Sequence, residues 1–203
     1  DPSDITALEA ERGKLELLHG DARAALEAFD RAASHASNSP ERVAAELGRA
    51  AAFRSLNRWD DALAALDRVV DAFPGASELA RAFHLRGGVE FARGRVAASQ
   101  EAHERAYALA KQAGSVELST QALSGLADAH YGAGRLATAV ATWKECVEIA
   151  RRERLVAVEA ARIRDHMARG DAHMDEIIHA GAMRQRRGVE RGVLRRHLVD
   201  IDE

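Results

Sequence analysis

One cysteine, Cys146, is all the chain has, so no disulfide can form within it. Three prolines in 203 residues leave long stretches free to be helical. Aromatics make up only 4%, too few for a core built on large rings, which suits helices packed through alanine and leucine. No run of about 18 apolar residues is present, so no transmembrane span is expected. Nor is there a charged-then-apolar leader, and the expected location is cytoplasmic. The net charge of −3 gives no global pull toward nucleic acid or a membrane. Lysine is scarce too: Lys14, Lys111 and Lys144 are the only ones, an arginine-rich usage that suggests a GC-rich bacterial genome. The start at Asp1-Pro2-Ser3-Asp4, without Met, suits a fragment of a longer protein.

What is present is an internal repeat. Leu118, Ala122, Leu126 and Ala129 recur at helical spacing, with Gln121, Ser124 and Asp128 between them. Gly132 and Gly134 are expected to stop that helix, and a second runs through Ala139, Trp143 and Ile149. Around each such turn the order is turn residue, small, bulky, small. Gly20, Ala25, Phe29 and Ala32 fill it first, then Asn57, Ala62, Leu66 and Val69. Gly94, Ser99, His103 and Ala106 follow, and then Gly134, Ala139, Trp143 and Cys146. Cys146 therefore falls where a small buried residue is wanted, and an inert packed thiol is expected. The first small residue of each unit steps by 37, 37 and 40. Between units lie Ser37–Glu41, with Ser39 expected to cap the helix ahead of Pro40, then Pro74–Ser77 and Ala113–Ser115.

Repeated helical hairpins with this signature resemble tetratricopeptide repeats (TPR), of the extended type found in bacterial regulators and kinesin light chains. The resemblance covers about residues 5–152 and implies an all-α, right-handed superhelical solenoid of antiparallel helix hairpins. Four hairpins are expected over 1–152. A degenerate fifth repeat and a basic amphipathic capping helix are expected over 153–203, because Asp175 and His179 break the pattern there. The resemblance further implies a concave groove lined by the first helix of each unit. Carried over position by position, the groove residues are Lys14, Leu17, Leu47, Arg54, Arg81, His84, Phe91, Gln121, Asp128 and Tyr131. The arginines could pair with acidic side chains, and Phe91 and Tyr131 could anchor a ligand. The set of the family that clamps chaperone C-terminal carboxylates is not matched: its places hold Ala10, Lys14, Gly48, Arg81 and Leu85.

Two other constellations carry chemistry. His173, Glu176 and His179 step by three and could ligate Zn²⁺, but HxxExxH is no established zinc signature, and neither metal nor cofactor is expected. Arg184, Arg186, Arg187, Arg191, Arg195 and Arg196 could meet phosphates. The interleaved Met183, Val189, Val193, Leu194 and Leu198 favour an amphipathic helix that caps the array, docks on a partner or pairs two copies. There is no GxxxxGK[ST] loop, strand-borne GxGxxG, GxSxG elbow or HExxH, so an enzyme is not expected. The expected function is a protein-interaction scaffold holding a peptide or helix in its groove. The alternatives are a sensor segment of a larger bacterial signalling protein, such as a nucleotide cyclase or ATPase-type transcription regulator, and a self-association module.

Overall fold

The computed structural model describes residues 2–72 and 75–155. Among them there are eight α-helices and no strand. They form four antiparallel hairpins: α1 (Pro2–His19) with α2 (Ala22–His35), α3 (Ser39–Ser55) with α4 (Trp59–Asp71), α5 (Ala76–Ala92) with α6 (Val96–Gln112), and α7 (Val116–Gly132) with α8 (Leu136–Arg152). The degenerate fifth repeat, the capping helix, the His173–His179 cluster and the basic run all lie outside the described residues, as do Phe73 and Pro74.

The hairpin turns share one backbone device. Asp21, Arg58, Arg95 and Arg135 each donate their N–H to the carbonyl five residues back, at Glu16, Phe53, Glu90 and His130, all at 2.9 Å. That bond satisfies a carbonyl orphaned at the helix end and reverses the chain. It needs a left-handed residue just before the donor, and Gly20, Asn57, Gly94 and Gly134 sit there with φ of 87°, 58°, 75° and 74°. Asparagine is the side chain that tolerates this geometry best, which is why Asn57 can replace glycine. Gly132 does not stop α7, as its place in the sequence suggests; it is the last residue of the helix. Its bare Cα instead leaves room for the Phe91 ring, 2.9 Å from where a Cβ would stand.

The start of α3 also differs from expectation. Asn38, not Ser39, is the cap: its side chain accepts the Glu41 N–H at 2.9 Å. Glu41 reaches back to accept the Ser37 N–H at 2.8 Å, and the Ser3 hydroxyl of α1 donates to it as well. The reciprocal arrangement satisfies helix-start donors in pairs. These bonds hold the Glu41 carboxyl far below its ordinary value, at about 2, with the Ser3 hydroxyl the largest cause and the Ser37 amide next.

Each helix packs on the next, and the first helices also touch one another in the series α1, α3, α5, α7. All twelve small–bulky–small residues of the repeat are buried. The bulky member of each hairpin keys into its neighbours. Phe29 sits where a Cβ on Gly13 would come within 2.8 Å of its ring and one on Gly48 would overlap it. His103 is seated the same way between Gly87 and Gly125. Cys146 is buried, with its thiol turned to the Thr120 carbonyl at 3.5 Å. Outside this core, ion pairs bridge successive helices: Arg31–Glu9 at 3.0 Å, Arg49–Asp30 at 2.8 Å and Arg68–Glu46 at 2.9 Å.

Candidate functional site: the groove of the first helices

The first helices line an open groove of about 820 Å³. Its floor is apolar and small, with Val43, Ala44 and Leu47 from α3, Leu85 from α5 and Leu118 from α7. Charged and polar groups stand around that floor: Lys14 from α1, Ser39 from α3, Glu78, Arg81 and His84 from α5, Glu117 and Gln121 from α7. Three of these, Lys14, Gln121 and Glu117, already bond within their own helices. Lys14 bonds Glu11 in its own helix, and the Gln121 amide donates to Glu117 at 3.3 Å. Arg81 differs: its side chain is exposed and makes no hydrogen bond or ion pair to a described residue. The His84 ring stands 5.2 Å from the buried His103 ring at an angle of 55°, so a groove side chain rests on the key of the third hairpin.

Five of the ten groove residues expected from sequence line this space: Lys14, Leu47, Arg81, His84 and Gln121. The other five do not. Leu17, Arg54, Phe91 and Tyr131 share one register position, three residues before the turn residue. At that last helical turn the side chains are drawn into helix–helix contacts. Leu17 packs on Ala25, Phe29 and Ala52. Tyr131 packs on Ala127, Ala139 and Trp143, its ring 5.7 Å from the indole. The head of Arg54 lies over Gly88 of the next first helix, and Phe91 lies over Gly132. Asp128 is half-buried on α7, away from the groove lining. The acidic residues of the rim, Glu78 and Glu117, were missed. They lie three and four residues before Arg81 and Gln121 on the same helix faces, so extending the helical period from those two would have found them.

Among the described residues no helix is long and apolar enough to cross a membrane.

Residues 11–77 match the family model described as tetratricopeptide repeat. No curated protein matches the chain. Among solved structures, two crystal structures of a kinesin-light-chain-like protein from Podosopora anserina, built of nearly identical TPR-like repeats, resemble it. One, a point variant, is 20% identical over 91% of this chain and 98% of its own, with a TM-score of 0.62. The other is 19% identical over 86% and 92%, with a TM-score of 0.59. At these identities the likeness speaks for the fold. Residues 11–77 thus match tetratricopeptide-repeat sequence, and the four hairpins have the TPR-like repeat fold.

Proposed function

We propose that the groove of the first helices binds a peptide segment or helix of another protein, and that the chain works as a non-catalytic interaction module. Proteins built of these repeats generally mediate protein–protein interaction. The observation that carries the reading here is Arg81. An exposed guanidinium with no ion pair to a described residue stands beside an apolar floor in an open groove of about 820 Å³. Such a group is available for a charge-assisted hydrogen bond to an incoming carboxylate, while the floor accepts an apolar side chain. Because most of the lining comes from four helices packed against their neighbours, with only Ala72 and Gly75 from a connector, little ordering entropy opposes binding.

The test is capture of partners from the native lysate, identified by mass spectrometry, with the wild-type chain beside Arg81→Glu. The substitution lies on an exposed side chain, so helicity and melting temperature should not change. A partner held by the wild type and lost by the folded variant supports the groove. Capture of the same partners by both would overturn it.

A further inference from the structure

The charges around the groove are sorted along the helix axes. Counting back from the turn residue that ends each hairpin's first helix gives every lining residue a height. Arg81 and Gln121 stand level, both thirteen residues before their turn residues. Glu78 and Glu117 stand about one helical turn nearer the helix starts, at sixteen and seventeen. Ser39, where α3 begins, lies at the same edge. His84 lies on the other side of Arg81, level with Leu47. The groove therefore has a carboxylate edge at the helix starts, with a guanidinium one turn beyond it.

The two charges of α5 have the spacing to cancel each other, yet they stay apart. Elsewhere in the chain that i, i+3 spacing closes: Glu46 with Arg49 at 2.9 Å, Arg58 with Asp61 at 2.8 Å, and Glu11 with Lys14. Glu78 and Arg81 form no ion pair with each other or with another described residue. The reason lies at the start of α5. The Glu78 carboxylate turns back toward Gly75, the cap, with Oε2 3.0 Å from where a Cβ would stand there. A helix start, with its unpaired N–H groups, favours a carboxylate at that place. Arg81 is left exposed at the groove. Glu117, exposed on the next first helix, extends the carboxylate edge. Lys14 and Arg81 are matched in number by Glu78 and Glu117, so the lining gives a wholly acidic ligand no net pull.

We propose that the groove selects a peptide segment of mixed charge and fixes its direction. An acidic side chain of the segment meets Arg81, a basic one meets Glu78 and Glu117, and an apolar neighbour rests on the floor of Val43, Leu47 and Leu85. This rests on the groove being the binding site and adds what the site reads. Glu78 and Arg81 are about 5–6 Å apart at Cβ, as i, i+3 residues of a helix are. Alternate side chains of an extended segment, roughly 7 Å apart, match that separation, as do side chains three or four positions apart on a helix. A segment laid in the right direction gives each charge a partner. Laid the other way it sets carboxylate on carboxylate and cation on cation, so the wrong direction is rejected by repulsion as well as by lost bonds.

Selection of a displayed library of random peptides on the full chain tests this. Recovered peptides should carry a basic and an acidic residue about two to four positions apart, beside an apolar one, and in a single order. One of them, synthesised with a fluorescent label, is then followed by fluorescence polarisation. It should bind about tenfold more weakly to Arg81→Gln, and likewise to the Glu78→Gln, Glu117→Gln double variant, each with unchanged circular dichroism. In the Glu78→Arg, Arg81→Glu variant the charges of α5 are exchanged. That variant should prefer the same peptide with its own two charges interchanged, reversing the wild-type preference. If the exchanged variant does not fold, the glutamine variants decide alone. Recovered peptides with charges of one sign, or with both orders equally represented, overturn the proposal; if Arg81→Gln still weakens them, binding in the groove stands. Peptides held equally by every variant, or none recovered above the bare support, overturn the groove and the proposal together.

Discussion

Glycine to alanine is the smallest substitution that can ask whether the hairpins are keyed as described, and its sign should depend on where it is made. Gly48 lies mid-helix in α3, and a Cβ there would overlap the Phe29 ring. Gly88 lies mid-helix in α5, and a Cβ there would meet only the end of the Arg54 side chain, at 3.0 Å from Nη1. Alanine favours a helix over glycine by about 1 kcal/mol at both sites. At Gly88 a flexible side chain moves aside, and a stabilisation of about 0.5–1 kcal/mol should remain. At Gly48 the ring is 1% exposed and wedged from the other side by Gly13, so it cannot retreat. Overpacking of that kind costs about 1–3 kcal/mol, which cancels the helix gain and leaves a net loss of up to about 2 kcal/mol. For a chain of this size each kcal/mol moves the melting temperature by roughly 2–4 °C. Thermal melts followed by far-UV circular dichroism should therefore separate two chemically identical substitutions in opposite directions. Adding Phe29→Leu to Gly48→Ala should recover stability relative to the sum of the single changes, because the two residues share one contact. If Gly48→Ala melts at or above the wild type, the seating of Phe29 between α1 and α3 is wrong.

Three further outcomes follow from named residues. Ser99 is fully buried with no hydrogen-bond partner for its hydroxyl among the described residues, where the other hairpins have Ala25, Ala62 and Ala139. Ser99→Ala should raise stability by about 1 kcal/mol or more, read as an upward shift of the denaturation midpoint. Ala139, 0% exposed between α7 and α8, has no room for a ring, so Ala139→Phe should cost about 3 kcal/mol; an unchanged melting temperature would break the repeat register. Glu41 has a folded pKa of about 2 against an ordinary 4.5, so its contribution is complete above 4.5 and is lost as pH falls through 2. Acid titration of the wild type should show that loss, and Glu41→Gln should lack it; identical profiles would remove the Ser3–Glu41 tie from the account.

How much of the site could be read beforehand depends on where along the helix a residue stands. Mid-helix positions such as Leu47, His84 and Gln121 face the groove because the helical period alone separates them from the buried stripe. Leu17, Arg54, Phe91 and Tyr131 stand on the last turn, where the neighbouring helix approaches. No period in the sequence tells a groove residue from one drawn into that crossing.

The linear order of residues was sufficient for the hairpins themselves. Turn residue, small, bulky, small is a pattern spanning about a dozen residues, and it is satisfied by contacts between segments that are neighbours in the chain. That is why all twelve of those positions are buried and the four turn residues adopt left-handed geometry. Only the tertiary structure decided which apolar stripes are covered. Leu8 and Leu15 have the same helical spacing as Ala45 and Ala52, yet the first pair is mostly exposed and the second buried. Burial of a helix's outer face depends on whether another hairpin stacks on it, and that neighbour is a property of the assembly, not of the helix.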